Sequence, residues 1–182
     1  MKFTSALLKF SKYDNSTVQA IYDEENTKTL LDFTKLVKDE DIFVDKDIKG
    51  RETNPHITVL YGIHEKEPSK LDLTSLDLPE SVEWIGLGKF ETDEYEVLIV
   101  KIKKTTVIQD LFDYINEVYP DNDNSFPTYE PHTTIAYVKK GMADSYIESY
   151  GEWFTEEAPI RAIQFAFNNH KWDFDPKSGE KV

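Results

Sequence analysis

Two copies of one octet constrain the fold of this chain more than any other feature of its sequence. Residues 55–62 read Pro-His-Ile-Thr-Val-Leu-Tyr-Gly, and residues 131–138 read Pro-His-Thr-Thr-Ile-Ala-Tyr-Val. Both follow the pattern Pro-His-x-Thr-apolar-apolar-Tyr, and together they hold two of the four histidines of the chain. The β-branched and apolar residues of each octet predict a short strand.

Strand alternation predicts which side chains of the octets act together. Successive side chains of a strand point to opposite faces, so His56 shares a face with Thr58, and His132 shares a face with Thr134. Thr133 points the other way and is not the counterpart of Thr58. We therefore predict a two-fold groove with one His-Thr pair from each half of the chain.

Each octet is preceded by the same order of predicted elements, which is two strands, a helix and an irregular loop. In the first half these elements are residues 3–10, 18–22, 27–38 and 39–54. In the second half they are residues 82–90, 96–103, 107–119 and 121–129, with Thr106 and Gln109 as a capping box at the helix start. The repeated order predicts a bilobal α+β arrangement with a pseudo-two-fold axis.

We predict a single bilobal domain over residues 1–182, with lobes at about residues 1–66 and 82–141. Residues 65–81 are expected to connect the two lobes. Three segments follow the second octet, namely a short helix over 142–150, a strand over 160–167 and a polar tail over 168–182. These last segments, residues 142–182, are expected to complete the sheets.

Composition narrows the classes of function. The chain has no cysteine, which excludes disulfides, thiolate zinc sites and cysteine nucleophiles and fits a cytoplasmic location. Its net charge of −14 argues against a long nucleic-acid footprint, which needs a basic stripe, and favours a soluble monomer. No stretch approaches the roughly 20 apolar residues that span a bilayer, and the first residues do not read as a secretory signal. We expect no membrane partner.

Paired histidines suit the cleavage of a phosphodiester. One proton must leave the attacking oxygen and another must reach the leaving oxygen, and imidazole, with a pKa of about 6.5, can do both. The threonine hydroxyls can donate hydrogen bonds to the non-bridging phosphate oxygens. This scheme needs no metal and no other cofactor. Zinc binding is the rival hypothesis, but His64 and His170 do not lie at ligand spacing from the octet histidines.

The two octets resemble the paired His-x-Thr motifs of the two-histidine (2H) phosphoesterase superfamily. This superfamily includes RNA 2′,3′-cyclic phosphodiesterases, bacterial proteins called 2′-5′ RNA ligases, 2′,5′-oligoadenylate phosphodiesterases and phage proteins that destroy cyclic-oligonucleotide defence signals. The resemblance implies two pseudo-symmetric lobes of antiparallel strands with helices outside and a central cleft. It also implies a catalytic set, which is His56, Thr58, His132 and Thr134. Which histidine is the acid and which is the base stays open.

Basic and aromatic side chains near the octets are candidates for substrate binding. A second phosphate could be neutralised by Arg51, Lys139 and Lys140. A base could stack, at about 1–3 kcal/mol per base, on Tyr13, Phe126, Tyr129 or Trp172. Each of these has an ordinary alternative as a surface charge or a packing residue. Tyr61 and Tyr137 lie opposite the histidines if the strands are regular, and are expected to be packing residues.

The sequence therefore predicts a metal-independent phosphodiesterase that acts on a small nucleotide or a short RNA end. The candidate substrates are a cyclic di- or oligonucleotide, a 2′,3′-cyclic phosphate end and a 2′-5′ linkage, and a phage enzyme that degrades a defence signal is one form of this function. Two alternatives are a non-catalytic nucleotide-sequestering protein and an enzyme that joins RNA ends through a 2′-5′ bond. The substrate, the linkage and the source organism are not fixed by the sequence.

Overall fold

Seven strands and three α-helices make up the part of the chain that the computed structural model describes, residues 15–46, 48, 50–126 and 128–182. The strands are β1 (Ser16–Tyr22), β2 (Ile57–Ile63), β3 (Ser81–Glu91), β4 (Tyr95–Ile102), β5 (His132–Lys139), β6 (Glu157–Phe167) and β7 (His170–Phe174). The helices are α1 (Glu24–Thr34), α2 (Thr106–Val118) and α3 (Ala143–Tyr150). The predicted strand over residues 3–10 and the candidate Tyr13 lie outside the described residues.

The described strands pair in antiparallel fashion, in the order β1-β2-β5-β4-β3-β6-β7. The octet strands β2 and β5 are neighbours, with β1 on the outer side of β2 and β4 on the outer side of β5. The long strand β6 pairs with β3 near its start and with β1 and β7 further along. This arrangement of helices with an antiparallel sheet confirms the predicted α+β class.

Both long helices begin with a capping side chain, but not at the predicted residues. Asp23 caps α1 by accepting a hydrogen bond from the backbone N–H of Asn26 at 2.8 Å, so the helix starts before residue 27. The hydroxyl of Thr105 caps α2 by accepting from the N–H of Ile108 at 3.4 Å, so the predicted capping box at Thr106 was one residue late. No helix in the described residues is long and apolar enough to cross a membrane.

Each of the two long helices, α1 and α2, packs against the octet strand of the other half of the chain. Helix α1 contacts β5, and helix α2 contacts β2. The buried face of α2 carries Ile108, Leu111 and Ile115, which pack into the main hydrophobic core. This exchange ties the two halves together directly beneath the octets.

The polar tail contains a strand that the sequence did not predict. Strand β7 pairs with the end of β6, with Phe165 opposite Trp172. Phe174 is buried in the core, and the ring of Trp172 meets Phe165 edge-on at 5.8 Å. The period-2 alternation of Trp172 and Phe174 was visible, but five residues are too few to separate a strand from a polar tail without the partner strand.

The two octets have the same burial pattern from end to end. In both, the proline, the x residue, the two apolar residues and the last residue are buried, whereas the histidine, threonine and tyrosine are partly exposed. The x residues, Ile57 and Thr133, pair with each other across β2 and β5. The pseudo-two-fold axis therefore passes between these two buried side chains.

A β-bulge follows the threonine in each octet. The register shifts by one residue at Val59 in β2 and at Ile135 in β5. A bulge reverses the alternation of side chains along its strand. Tyr137 accordingly pairs with Val97, on the same face as His132, and the identical burial pattern gives Tyr61 the same relation to its own histidine. The prediction that these tyrosines lie opposite the histidines was wrong, because it assumed regular strands.

Buried hydrogen bonds hold the core side of the second octet. The hydroxyls of Thr133 and Tyr22 are 2.7 Å apart, and the indole N–H of Trp84 donates to the Tyr22 oxygen at 3.2 Å. All three side chains are buried, and burial raises the pKa of Tyr22 to about 12. This network links β1, β3 and β5 and fixes the orientation of the octet strand, with Thr133 inward and Thr134 toward solvent.

We expect Thr133→Val to lower the free energy of unfolding by about 1–3 kcal/mol, because it removes a buried partner of the Tyr22 hydroxyl. Thr134→Val, one residue away, is the matched control and should change stability by no more than about 0.5 kcal/mol. Urea denaturation of both variants measures the difference. Equal losses in the two variants would contradict the assignment of these threonines to opposite faces.

Candidate active site

The pairing of Ile57 with Thr133 sets the geometry of the site. We call the four octet side chains on the open face the quartet, which is His56, Thr58, His132 and Thr134. When the antiparallel register is continued by one residue in each direction from this pair, His56 falls opposite Thr134 and His132 falls opposite Thr58. Side chains opposite each other on one face have Cβ atoms about 4.5–5.5 Å apart. The quartet therefore forms one cluster around the pseudo-two-fold axis.

The same local hydrogen bond orients both histidines of the quartet. Nδ1 of His56 lies 2.7 Å from the carbonyl oxygen of Asn54, and Nδ1 of His132 lies 2.8 Å from that of Glu130. Because a carbonyl oxygen only accepts, Nδ1 carries the proton of each neutral ring. Nε2 is then the nitrogen that can accept or deliver a proton. The octet proline favours an extended residue before it, which gives both halves the same local geometry.

The two histidines differ in their surroundings. The ring of His132 meets Phe90 of β3 edge-on, with centroids 4.7 Å apart. Burial lowers the pKa of His132 below its ordinary value, and repulsion from His56 lowers it further, whereas the hydrogen bond to the Glu130 carbonyl opposes these effects. Such electrostatic coupling requires two imidazoles that lie close together. A pKa below the ordinary value leaves the His132 ring neutral at neutral pH.

An apolar cluster on the quartet face of β4 and β5 borders the site. Its buried members, Tyr95, Val97 and Ile99, pack against the half-buried side chains of Phe43, Ile48, Phe90 and Tyr137. Phe43 stacks on Tyr95 with ring centroids 4.9 Å apart. Phe43 and Ile48 belong to the loop that precedes the first octet. This loop therefore covers the end of the face that lies away from the quartet.

Arg51, a predicted phosphate-binding residue, is engaged with the end of α1. Its Nε donates to the carbonyl oxygen of Thr34 at 3.0 Å, and its Nη2 donates to the carbonyl of Val37 and, at 2.7 Å, to the carboxylate of Asp39. These carbonyls lie at the helix C-terminus, where backbone acceptors lack helical partners. The guanidinium thus has a structural use, and its role toward a substrate stays a prediction.

The two predicted lysines also contact backbone carbonyls. Lys139 donates to the carbonyl of Glu40 at 2.6 Å, and Lys140 donates to those of Thr92 and Asp93 at 3.3 and 3.4 Å. Both follow the end of the second octet rather than its histidine. The structure does not bring them together with the quartet, and their substrate role stays a prediction.

The predicted stacking residues fall in different environments. Tyr129 stacks on Phe112 with ring centroids 4.5 Å apart and donates its hydroxyl to the carbonyl of Thr58 at 3.2 Å, so it supports the first octet. Burial raises the pKa of the Tyr129 hydroxyl. Phe126 meets Tyr61 edge-on at 5.9 Å. Trp172 lines a cavity bounded by residues 67–74 and the C-terminal tail, and no octet residue lines that cavity.

Sequence reasoning overlooked Lys101. This residue pairs with His132 across β4 and β5, so it extends from the quartet face, and it is exposed. A signal was present in the sequence, because Lys101 is the one charged residue in the apolar run of residues 97–102. Its relation to His132 depends on the pairing of two strands that lie far apart in the chain, which no local pattern reveals.

His64, the rival metal ligand, joins the two halves instead. Its Nδ1 lies 2.9 Å from a carboxylate oxygen of Asp121, and its Nε2 lies 3.0 Å from one of Asp123. Carboxylates only accept, so both contacts are hydrogen bonds only when the ring is protonated. The bonds to Asp123 and Asp121 raise the pKa of His64. In the described part of the chain, no three histidine, aspartate or glutamate side chains are grouped to hold a metal ion.

We expect His64→Gln to reduce stability in a pH-dependent way. A raised pKa in the folded state stabilises the protein fully below the unfolded pKa of about 6.5, and this contribution is lost as pH rises through the folded pKa. The difference in thermal midpoint between wild type and variant should therefore be largest below about pH 6.5 and shrink as the pH rises above it. His170→Gln is the control. A difference that does not change with pH would contradict the ion-pair assignment.

Solved structures with the same fold include one bacterial and one yeast protein. TT0787 of Thermus thermophilus superimposes with a TM-score of 0.56 at 15% sequence identity, over 92% of this chain and 93% of that chain. Usb1 of Kluyveromyces marxianus superimposes with a TM-score of 0.51 at 9% identity, over 90% of this chain and 98% of that chain. No family model matches the chain. No curated protein sequence matches it.

Identities this low establish a shared fold and nothing finer. The matches extend over nearly the whole chain and nearly the whole of each matched structure. They bear out the fold class that the paired octets led us to expect, with antiparallel strands and outer helices. The chain has the 2H-phosphoesterase fold.

Proposed function

We propose that this protein is a metal-independent phosphodiesterase whose quartet cleaves a phosphodiester in a small nucleotide or at a nucleotide end. One observation carries the proposal: Ile57 of β2 pairs with Thr133 of β5. In an antiparallel register continued from this pair, each histidine falls opposite the threonine of the other octet. The matching Nδ1 hydrogen bonds support it, because they leave Nε2 of both rings for proton transfer. The shared 2H fold supports it at the level of architecture.

His132 is the general base in this proposal, and His56 is the general acid. The lowered pKa of His132 leaves its Nε2 unprotonated at neutral pH, ready to take the proton of the attacking oxygen. The attacking oxygen forms a bond to phosphorus, and the bond to the leaving oxygen breaks. Protonated His56 delivers its Nε2 proton to the leaving oxygen. Exchange with water then restores both rings.

Thr58 and Thr134 stabilise the charge that develops on the phosphoryl group. Both are partly exposed beside the histidines, and each can donate its hydroxyl proton to a non-bridging oxygen. Because each threonine lies opposite the histidine of the other octet, the phosphate is held at the pseudo-two-fold axis. An acid and a base on opposite sides of that axis suit in-line displacement at phosphorus.

The charge of the protein favours a compact substrate. The chain carries 35 acidic and 21 basic residues, and Arg51, Lys139 and Lys140 are all engaged with backbone carbonyls. A long polyanion needs many free cations along its path. The proposed substrates are therefore cyclic di- or oligonucleotides, 2′,3′-cyclic phosphate ends and short 2′-5′ linkages. In the same proposal the enzyme is a monomer in the cytoplasm. A phage enzyme that degrades a defence signal is one form of this function.

A nucleotide panel incubated in EDTA, with products identified by mass spectrometry, tests the proposed function. We expect cleavage of at least one of these three substrate classes. His56→Ala and His132→Ala should each reduce kcat by about 10²–10⁴-fold, the usual effect of losing an acid or base. Neither should change the free energy of unfolding by more than about 1 kcal/mol, because both rings are partly exposed. His170→Ala is the control and should retain full activity.

The outcomes separate the alternatives. A folded wild type that cleaves nothing would overturn the proposal, and tight binding without product would identify a nucleotide-sequestering protein. Joined product alone from a 2′,3′-cyclic end would identify end-joining. Large destabilisation in both histidine variants would indicate that these histidines serve the fold rather than the reaction.

A further inference from the structure

Lys101 lies on the quartet face of the sheet, one strand beyond His132. It pairs with His132 across β4 and β5, whereas Thr58 lies on the other side of His132, on β2. Because residues paired in this way share a face, the three side chains form a row across neighbouring strands. Adjacent strands lie about 4.7–4.9 Å apart, so the row spans roughly 10 Å. Lys101 is therefore one strand further from the pseudo-two-fold axis than His132.

A glycine supports the stem of this lysine. A Cβ atom built on Gly88 of β3 would lie 3.0 Å from both Cγ and Cδ of Lys101. The aliphatic stem thus crosses the bare backbone of Gly88, which pairs with Ile99 on the quartet face. Lysine stems commonly lie along apolar surface while the ammonium group stays in water. The sheet holds the stem and leaves the charge toward solvent.

The ammonium group of Lys101 has no hydrogen bond or ion pair with any other residue that the structure describes. Two other lysines, one on β3 and one just after β4, have carboxylate partners. Lys89 contacts the carboxylates of Glu91, Glu96 and Asp144 at 2.8–3.1 Å, and Lys103 contacts Glu83 at 2.5 Å. In a chain with a net charge of −14, such a cation beside a phosphate-cleaving histidine indicates a place for an anionic ligand.

We propose that Lys101 binds a second phosphate of the substrate, next to the phosphate that is cleaved. The cleaved phosphate already has the two threonine hydroxyls as donors, and Lys101 lies one strand further out. The substrate class is therefore a nucleotide with at least two phosphates, such as a cyclic dinucleotide or a short oligonucleotide, rather than a lone 2′,3′-cyclic mononucleotide. This inference rests on the proposed function, because it assumes a phosphate at the quartet.

Binding to the His56→Ala variant tests the inference without turnover. The probes are 3′,3′-cyclic diadenylate and 2′-5′ triadenylate, with 2′,3′-cyclic AMP as the probe that has one phosphate. We expect cyclic diadenylate or 2′-5′ triadenylate, or both, to bind about tenfold more tightly than 2′,3′-cyclic AMP. A difference of this size is what one charge-assisted hydrogen bond allows. Adding Lys101→Met should abolish this preference. The affinity for 2′,3′-cyclic AMP should stay within about twofold of its value without that substitution.

Three further variants separate a binding role from a general effect of charge. Lys101→Arg keeps the charge and should retain the preference. Lys104→Met removes an exposed lysine just beyond the end of β4 and should also retain it. Gly88→Ala should weaken the preference, because its methyl group displaces the Lys101 stem. Loss of Lys101 should also reduce the slope of log Kd against log salt by about 0.7–0.9, as for one phosphate contact.

The inference would be overturned if the His56→Ala protein showed no preference for either probe that has several phosphates. A preference that survives Lys101→Met would overturn it as well. Failure of the proposed function looks different. In that case the wild-type protein cleaves no compound of the panel. The binding preference and its dependence on Lys101 are measured in a separate experiment that does not require cleavage.

Discussion

The pairing of Ile57 with Thr133 is the contact on which the rest of the site depends. It joins the two octet strands where the pseudo-two-fold axis crosses the sheet, and both side chains are buried. Below it, Tyr22 and Trp84 fix Thr133 by hydrogen bonds in the core. Above it, the same register brings the four quartet side chains together. A slip of one residue in either strand would turn its histidine into the core, since side chains alternate between faces.

Electrostatics distinguishes the histidines of two similar motifs. Both rings use Nδ1 to bind a carbonyl two residues earlier, so the octets alone are symmetric. The symmetry ends at Phe90 on β3, whose ring meets that of His132 edge-on, and burial lowers the pKa of His132. A pair in which one ring is neutral while the other carries a proton is what acid–base cleavage of a phosphodiester requires. Among the described residues, Arg51, Lys139 and Lys140 donate to backbone carbonyls, whereas Lys101 has no such partner.

The sequence was sufficient for features that depend on local pattern. Alternation within the octets separated Thr134 from Thr133, and the repeated order of elements predicted the α+β class. Features set by distant partners were missed or misassigned. The bulges that return Tyr61 and Tyr137 to the histidine face depend on cross-strand register, and strand β7 is recognisable only beside β6. The contacts of Arg51 with the end of α1 and the position of Lys101 beside His132 likewise join segments that no local pattern connects.

The most direct test of this account is a titration of the imidazole nitrogens by ¹⁵N NMR, in wild type and in His56→Ala. Both His56 and His132 are expected to be Nδ1–H tautomers when neutral, because both bind a carbonyl through Nδ1. His132 is expected to titrate below the ordinary histidine pKa of about 6.5, and its pKa should rise when His56 is removed. An Nε2–H tautomer, or a His132 titration that His56→Ala leaves unchanged, would contradict a single site built from both octets.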